Sequence, residues 1–540
     1  MDRAAVSDLL EEIATLLALK GENPFKVRAF EAAARTVAGL ADFDERLARG
    51  EIGKVKGIGA SIAEVIREAA ATGRSTLHHE LADSVPPGLF DLLKIPGLGP
   101  KRASVLWSAL GVTSLAALQY SVTENHVASL PGFGAGVQAK IAEGLRSVHA
   151  SAGKLRLPEA KAEADAVSAL LARLGARATV AGELRRRCEV VSSLAFALVV
   201  EGSQAPPQLP GDAGTLPVSI VTRGPGGFGT ALVLATGSEE HLEGLRRLRP
   251  GLLDRDFPTE EELYATAGLA WIPPELREGR GELALAAAGS LPSLVTDGDV
   301  RGLFHVHSTF SDGKATLEEI FRRCVELGHE YVGITDHSPA ASYAGGLTPA
   351  RVHEQWEAID RLRGSFPSLT VFRGTEADIL PDGSVDYGDD FLAGFDFVVA
   401  SVHSAFHLTR AEQTARLVRA VRNRRVTMLG HPTARILLGR GGIDVDVPAV
   451  LAAAGEAGCG VEVNSCPWRL DLDWRMGEAA RAAGVFTSLN PDAHDLAGLS
   501  DAAWGVGIAR KGGFSPPEVL NCTPAGEIAE RLRRLRERRA

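Results

Sequence analysis

The sequence predicts a multidomain protein in which an α-helical N-terminal region precedes a mixed α/β segment and a C-terminal parallel α/β barrel. At 540 residues the chain exceeds the size of one ordinary hydrophobic core. The first 150 residues are alanine-rich and have helical periodicity. From Arg301 onward, short apolar strands alternate with helical stretches, which is typical of a parallel barrel.

Bulk composition indicates a cytoplasmic protein. Five cysteines form no CxxC pair, which fits a reducing compartment. The N-terminus is typical of an amphipathic helix rather than a signal peptide, and no apolar run is long enough to span a bilayer. The net charge of −10 argues against a broad basic surface but leaves local basic patches open.

Gly-apolar-Gly turns punctuate the helical region. They are Gly57 and Gly59, Gly97 and Gly99, and Gly132 and Gly134. Glycine lets the backbone turn tightly and approach a phosphate, while the next helix offers its N–H groups. The repeat resembles the helix-hairpin-helix motif of DNA-repair and replication proteins, and Lys101, Arg102 and Lys140 would add positive charge. The alternative is that the turns serve helix packing alone.

The mixed segment and the barrel differ in the spacing of their strands. Residues 155–290 contain the strand-like runs ATVAG, LAFALVV and VSIVT among helical stretches. A Pro/Gly-rich loop begins at Glu201. The later runs YVGIT, DFVVASV, VTMLG and GVEV alternate with helices, so we expect a barrel of eight or fewer strands.

Residues of metal-ligating type lie at the predicted ends of these barrel strands. His305 and His307 are alternate residues of one predicted strand, so both side chains should point the same way. The others are Asp312, His337 with Asp336 beside it, Glu376, His403, His431, Asp492 and His494. Strand ends form one rim of a barrel, so these side chains can converge. Imidazole with carboxylate suits zinc, manganese or iron, and closely grouped metals suit phosphate-ester hydrolysis.

The blocks HVHSTFSDG, ITDH, GTEADIL, SVHS, GHP and DAH resemble the polymerase and histidinol phosphatase (PHP) superfamily. The resemblance implies a distorted barrel that holds two or three divalent cations, Mn²⁺ and/or Zn²⁺. It implies one metal on His305, His307, Glu376 and Asp492, a second bridged by Glu376 to His403 and His431, and a third on Asp312, His337 and His494. Asp336, Arg435 and Arg469 are the candidate catalytic residues, and Arg440 is a further candidate for binding phosphate. Surface salt bridges are an equally open role for the arginines.

The order of these regions resembles bacterial family X DNA polymerases over essentially the whole chain. The stretches ENPFKVRAF, AGELRRRCE, TGSEEH and WIPPELREGRGE support it. The resemblance implies an 8-kDa-like domain at 1–85, a fingers-like domain at 86–152, a palm-like nucleotidyltransferase domain at 153–230, a thumb-like domain at 231–290, a linker at 291–300 and the PHP domain at 301–540. It also implies a monomer that binds gapped or nicked double-stranded DNA, away from membranes, in the nucleoid-containing cytoplasm.

The polymerase site departs from the family pattern of a Gly-Ser-x-Arg-Arg turn and three aspartates. Glu183 replaces the serine, and Ser193, Ala195 and Ser219 occupy the aspartate positions. A hydroxyl or methyl group cannot anchor the divalent cations of nucleotidyl transfer. The positions left of a vestigial nucleotide site are Gly182, Arg186, Gly237 and Ser238, whereas Leu234 and Ala235 replace the usual aromatic pair. A rearranged acidic set that includes Glu201 or Asp212 stays open, with Mg²⁺ in the palm if the polymerase is active.

The leading functional prediction is a DNA-repair phosphoesterase with 3′→5′ exonuclease, 3′-end or abasic-site processing activity in the barrel. The helix-hairpin-helix units would hold the DNA. One alternative is the gap-filling DNA polymerase of the family. Less favoured are a small-molecule phosphatase of histidinol-phosphatase type and a scaffold that only binds DNA.

Overall fold

The computed structural model describes residues 1, 3–40, 42–95, 97–149, 153–199, 209 and 214–537. The chain forms two compact units, Met1–Ala150 and Ser151–Ala540, here called the helical unit and the barrel unit. Glu201 and Asp212, named in the alternative for the polymerase site, lie outside the described residues. The finer domain boundaries stay predictions.

The helical unit has one hydrophobic core that extends from Val6 to Leu145, so both predicted helical domains contribute to it. Its helices are α1 (Arg3–Leu19), α2 (Pro24–Ala38), α3 (Phe43–Ala48), α4 (Ala60–Thr72), α5 (Thr76–Asp83), α6 (Gly88–Leu92), α7 (Pro100–Leu110), α8 (Leu115–Thr123) and α9 (Gly134–His149). Within the described residues, no single helix is long and apolar enough to cross a membrane. The pair α7 and α8 meets that criterion only when joined across a 70° bend.

The three glycine turns share one backbone geometry. Gly57, Gly97 and Gly132 have φ values of +96°, +83° and +83°, which lie in the left-handed region that favours glycine. The apolar residues that follow them, Ile58, Leu98 and Phe133, are buried. The N–H of each donates to the carbonyl oxygen three residues earlier, at 3.0, 3.0 and 3.1 Å. The repeat predicted from the sequence is therefore a repeat in structure.

The segment after the helical unit is a small mixed α/β fold. Its strands are β1 (Leu155–Arg156), β2 (Ala178–Ala181), β3 (Val190–Val191), β4 (Leu194–Val199) and β5 (Val218–Arg223). Its helices are α10 (Leu157–Arg173), α11 (Gly182–Arg185), α12 (Phe228–Thr236), α13 (Glu239–Leu248), α14 (Glu260–Thr266) and α15 (Glu282–Ala287). The central sheet has the order β2-β4-β5, with β2 antiparallel and β5 parallel to β4. The three predicted strand runs are confirmed as β2, β4 and β5.

The C-terminal region is a nearly closed parallel barrel. Its strands are β6 (Gly302–Val306), β7 (Tyr331–Ile334), β8 (Thr370–Asp378), β9 (Phe397–Ser401), β10 (Met428–Leu429), β11 (Gly460–Asn464) and β12 (Thr487–Asn490). They follow one another in sequence order around a 7-stranded sheet, and a bridge from Val306 to Ala493 links the first strand to the end of the last. The predicted barrel of eight or fewer strands is confirmed over residues 301–537.

Helices cover the outside of this barrel. They are α16 (Leu317–Glu326), α17 (Pro349–Arg363), α18 (Asp389–Leu392), α19 (Arg410–Arg422), α20 (Val447–Ala457), α21 (Gly477–Ala482), α22 (Ala502–Lys511) and α23 (Ala525–Glu537). Because all seven strands run in the same direction, their carboxyl ends meet at one rim. The predicted metal ligands lie at these strand ends and in the loops that leave this rim.

Candidate metal centre

Glu376, at the carboxyl end of β8, lies at the centre of the predicted ligands and is 1% exposed. Its Oε1 is 3.2 Å from His305 Nε2, 3.3 Å from His403 Nε2 and 3.0 Å from His431 Nε2. Its Oε2 is 3.0 Å from His337 Nδ1 and 3.6 Å from His307 Nε2. One carboxylate therefore contacts imidazoles that come from four separate strand ends.

The remaining ligands form two groups beside Glu376. Asp492 Oδ1 is 3.4 Å from His305 Nε2 and 3.3 Å from His307 Nε2. Asp312 Oδ2 is 3.5 Å from His337 Nε2 and 3.4 Å from His494 Nε2. Ligand atoms lie within 4.8 Å of one another in each of four groups: His305, His307 and Asp492; His305, Glu376 and His431; His337, Glu376 and His403; and His307, Asp312, His337 and His494. His337 thus contacts both Glu376 and Asp312, whereas the family resemblance assigned it to the third metal alone.

The hydrogen bonding of the buried ring nitrogens indicates whether this set of side chains suits a metal. Within the described residues, His305 Nε2, both nitrogens of His307 and His337 Nδ1 are buried and make no hydrogen bond of normal geometry. Leaving such a polar atom unsatisfied costs about 1–3 kcal/mol. Imidazole nitrogens and carboxylate oxygens are the ligands that zinc and manganese take in proteins. The residues present fit a cluster of divalent cations.

Backbone strain accumulates at the same positions. His305, His431 and Asp492 have φ values of +58°, +21° and +52°, a region that non-glycine residues rarely occupy. Strain of this kind is concentrated at functional sites. The path of β6 also differs from the prediction. The strand ends at Val306, and its pairing with β7 shifts register between Leu303 and Val306. The two histidines are therefore not alternate residues of a regular strand, although their ring centroids lie 5.3 Å apart.

Burial and neighbouring charges determine the protonation states in the cluster. Burial favours the neutral form of Glu376, but the opposing charges of His305, His403 and His337 outweigh it and hold the Glu376 pKa well below its usual value. Burial lowers the pKa of His307 to about 3 and that of His431 to about 4. These two rings are neutral at physiological pH, which is the form of imidazole that binds a metal.

Two carboxylates outside the predicted set orient its histidines. Glu462 Oε1 accepts a hydrogen bond from His305 Nδ1 at 2.7 Å, and Glu462 Oε2 accepts one from the backbone N–H of His431 at 2.7 Å. Asp378 Oδ1 is 2.8 Å from His403 Nδ1. Such partners fix the ring orientation of metal-binding histidines. The sequence reasoning missed both, although Glu462 interrupts an apolar strand and Asp378 lies two residues after Glu376.

Replacing Glu462 by glutamine is expected to lower Mn²⁺ affinity roughly 10–100-fold, because His305 loses its charged partner while side-chain volume is kept. Calorimetric titration of the metal-free protein with Mn²⁺ measures this affinity. The matched control is Glu330→Gln, since Glu330 lies at the opposite end of β7 and accepts the backbone N–H of Ala525 at 3.0 Å. Equal affinities for the two variants would contradict an orienting role for Glu462.

Asp336, predicted to be catalytic, is directed at neighbouring loop residues. Its two oxygens accept hydrogen bonds from the backbone N–H and hydroxyl groups of Ser308 and Ser311 and from the amide of Gln355. These bonds occupy the carboxylate and fix the loop after His307. Asp336 thus holds the loop that follows the predicted ligand His307, and a catalytic role for it stays a prediction.

The three candidate arginines differ in what they contact. Arg435 donates from Nε to the carbonyl of Arg469 at 2.9 Å and from a terminal nitrogen to Asp473 at 2.6 Å, so these two nitrogens are bonded within the protein. Arg440 donates to the carbonyl of Ala434 at 2.8 Å. Arg469 Nε lies 3.5 Å from Asp492 Oδ2. Of the three, Arg469 is the one that faces the ligand cluster.

Among the described residues of the predicted palm-like segment, 153–230, there is no comparable cluster. The sheet register pairs Ala195 on β4 with Ser219 on β5, the two neighbouring strands on which the family would place its aspartates. Glu183 accepts the backbone N–H groups of Ser192 at 2.6 Å and Ser193 at 3.3 Å. Across the described parts of this segment, no three metal-ligating side chains come together.

The positions predicted to form a vestigial nucleotide site make local structural contacts. Gly182 has φ +62°, and a Cβ there would lie 2.8 Å from that of Ala195. Arg186 donates to Glu278 at 2.9 Å and to the carbonyl of Thr236 at 2.7 Å. Gly237 ends α12, and Ser238 caps α13 by accepting the N–H of His241 at 3.2 Å. Arg186 is thus bonded within the protein rather than directed at a nucleotide site.

The glycine turns of the helical unit each lead into a helix N-terminus. Gly59 and Gly99 precede α4 and α7, and neither helix start has a side-chain hydrogen bond that caps it. The side chains of Lys101, Arg102 and Lys140 are exposed. Arg102 donates to the carbonyl of Gly97 at 2.7 Å, which braces the second turn. N–H groups, the positive end of a helix and nearby cations suit contact with phosphate.

Comparison with known proteins agrees with this architecture. Residues 1–75 match the helix-hairpin-helix domain family, residues 89–147 the SAM-like helix-hairpin-helix tandem and residues 304–440 the PHP domain. The DNA polymerase/3′-5′ exonuclease PolX of Bacillus subtilis is 33% identical over 573 residues, which cover 99% of this chain and 100% of the relative. A probable phosphatase of Caldicellulosiruptor saccharolyticus is 28% identical over 200 residues, which cover 35% of this chain and 78% of the relative.

A solved histidinol phosphate phosphatase from Lactococcus lactis, complexed with zinc, L-histidinol and phosphate, matches with a TM-score of 0.32 and 18% identity, covering 40% of this chain and 94% of its own. The similarity to PolX spans the helical unit and the barrel unit alike. The helix-hairpin-helix matches indicate that the helical unit binds DNA. The chain belongs to the bacterial family X DNA polymerases, and in it helix-hairpin-helix domains precede a PHP domain.

Proposed function

We propose that the barrel is a metal-dependent DNA phosphoesterase that acts at 3′ ends, as a 3′→5′ exonuclease or in the processing of blocked ends and abasic sites. The observation that supports it best is Glu376, buried against histidines from four strand ends. Such a site suits two or three divalent cations, Mn²⁺ or Zn²⁺. To test the proposal, a 5′-labelled duplex is incubated with the protein and Mn²⁺. The labelled strand should be shortened from its 3′ end, and a chelator should abolish this shortening.

The chain's own residues would hold the cations at three overlapping positions. His305, His307 and Asp492 would hold one, and Glu376 would join it to a second on His403 and His431. His337, His494 and Asp312 would hold a third. When bound, such cations supply Lewis-acid activation of a phosphate ester and of the attacking water. Glu462 and Asp378 keep the rings of His305 and His403 oriented, and Arg469 presents a guanidinium beside Asp492 for a substrate phosphate.

We further infer that the palm-like segment does not catalyse nucleotidyl transfer. Ser193, Ala195 and Ser219 offer no carboxylate, and Glu183 puts a negative charge where a triphosphate would bind. The alternative is a gap-filling DNA polymerase, which the PolX relative's name favours. A small-molecule phosphatase is less favoured, because that task requires no DNA-binding platform.

The proposed substrate is gapped or nicked double-stranded DNA, bound by a monomer in the nucleoid-containing cytoplasm. The helices that follow Gly59 and Gly99 begin without a side-chain cap, so we infer that their first backbone N–H groups are available to a phosphate. Contacts of this kind follow the sugar-phosphate backbone and ignore base identity. The platform would therefore hold DNA of any sequence while the barrel acts on an end.

Lys101→Ala is expected to weaken DNA binding equally for unrelated sequences and to reduce the slope of log affinity against log salt by about one. Lys101 is exposed in the first turn of α7, so its loss removes one phosphate contact. Fluorescence anisotropy at several salt concentrations measures the slope. The control is Lys161→Ala, whose ammonium already pairs with Asp165 at 2.6 Å. A change that depends on base sequence would contradict backbone recognition.

A further inference from the structure

The loop that follows β11, residues 465–476 and here called the bridging loop, contacts the metal centre at one end. Arg469 Nε lies 3.5 Å from Oδ2 of Asp492, and both residues are buried. Asp471 pairs with Asn464 through the backbone, and its Oδ2 accepts the N–H of Thr433 at 2.9 Å. Thr433 lies two residues after His431. The bridging loop thus contacts the two loops that contain the predicted ligands Asp492 and His431.

The same loop contacts the palm-like segment at its other end. Trp474 Nε1 donates to Glu189 Oε2 at 2.9 Å, and Arg475 donates to Glu189 Oε1 at 2.7 Å. Glu189 is 8% exposed and its bond with Trp474 is buried, whereas the Arg475 side chain is about half exposed. The guanidinium carbon of Arg156 lies 3.3 Å from the ring centroid of Trp468. Both oxygens of one buried carboxylate therefore hold the loop against the palm-like segment.

A continuous series of polar contacts joins the two ends. Arg475 contacts Asp473 at 3.0 Å, and Asp473 contacts Arg435 at 2.6 Å. Arg435 Nε donates to the backbone carbonyl of Arg469 at 2.9 Å. Glu189 and Arg469 are thus linked through three side chains, each of which is held at two points. A charge-assisted contact of this kind is short and directional, so it fixes the position of the group at its end.

We propose that Glu189 is a positioning residue for the phosphoesterase: it holds the bridging loop so that Arg469 stays beside the metal ligand Asp492. This inference rests on the proposed function of the barrel. Glu189 touches no substrate and acts through Arg469 alone. The palm-like segment, which lacks the polymerase aspartates, would then act as the support of the nuclease site.

The test uses the full-length protein, a 5′-labelled duplex and Mn²⁺. In Glu189→Ala, kcat is expected to fall roughly 10–100-fold while KM for DNA and bound Mn²⁺ per chain stay unchanged. Glu189→Gln keeps an oxygen for Trp474 Nε1 but loses the charge that pairs with Arg475, so it should retain intermediate activity. The matched control is Glu275→Ala. Glu275, in the predicted thumb-like region, accepts a hydrogen bond from Arg510 of the barrel region at 2.7 Å rather than from the bridging loop, and its loss should leave kcat unchanged.

A double variant separates positioning from general stabilisation. If Glu189 acts through Arg469, then Glu189→Ala combined with Arg469→Ala should be no less active than Arg469→Ala alone. Should Glu189→Ala fail to fold, Arg475→Gln removes the charged partner of Glu189 with which the series of contacts begins, and it should show a kcat loss in the same direction. The proposal would be overturned if the kcat loss of the double variant equalled the product of the two single losses. Equal activity of Glu189→Ala and Glu275→Ala would also overturn it. A wild-type protein without Mn²⁺-dependent hydrolysis would overturn the function on which it rests.

Discussion

Glu376→Gln is expected to reduce 3′→5′ hydrolysis of DNA on the order of 10³-fold while leaving DNA affinity nearly unchanged. The glutamine keeps the shape of the side chain but removes the charge that contacts His305, His337, His403 and His431. Metal bound per chain should fall as well. The glycine turns proposed to bind DNA lie in the other unit, so they are not altered. Single-turnover hydrolysis, elemental analysis and anisotropy give the three quantities.

Glu330→Gln is the matched control, because Glu330 is a barrel carboxylate remote from the ligand rim and should leave all three quantities unchanged. Parallel loss of hydrolysis and of DNA affinity in Glu376→Gln would show that the barrel itself is the main DNA-binding surface. Full hydrolysis with reduced metal content would contradict the assignment of Glu376 to the cluster.

The second large effect concerns polymerisation: the protein is expected to add no nucleotides across a gap above background. Ser193, Ala195 and Ser219 cannot hold two cations over a triphosphate, and losing even one anchor cripples two-metal transfer. Templated incorporation should be measured in the Glu376→Gln background with Mg²⁺ and with Mn²⁺, so that hydrolysis cannot hide extension. The Bacillus subtilis PolX relative serves as the positive control.

Restoring aspartate at 193, 195 and 219 together with Glu183→Ser should recover weak metal-dependent nucleotide binding. Full activity is not expected, because Arg186 is bonded to Glu278 and Leu234 and Ala235 replace the aromatic pair. Robust gap filling by Glu376→Gln alone would contradict the inactive palm and make the polymerase the leading function.

The sequence predicted the fold where local patterns decide it. The glycine turns follow from the left-handed backbone that Gly57, Gly97 and Gly132 must adopt, which is a local property. The barrel follows from strand and helix alternation. The register shift of β6 around His305 could not be predicted from the sequence, because it depends on how β6 pairs with β7 and bridges to Ala493.

That these histidines and carboxylates come together was predictable, because convergence at a barrel rim is a property of the fold class. The partners of those ligands were not. Glu462 and Asp378 look like ordinary strand carboxylates until the histidines are placed around them. Asp336 lies next to a ligand in sequence, yet its side chain turns to Ser308, and sequence adjacency cannot decide that direction. Arg435 likewise meets backbone carbonyls that become neighbours only after folding.

The most direct measurement of the central claim follows a 5′-labelled primer strand on a gapped duplex incubated with wild-type protein, Mn²⁺ and all four nucleotides. One gel then reports hydrolysis and synthesis together. We expect products shorter than the primer, unchanged when nucleotides are omitted, and no reaction after chelation or in Glu376→Gln. Products longer than the primer, or shortening that persists after chelation, would contradict the account of a metal-dependent nuclease on an inactive polymerase platform.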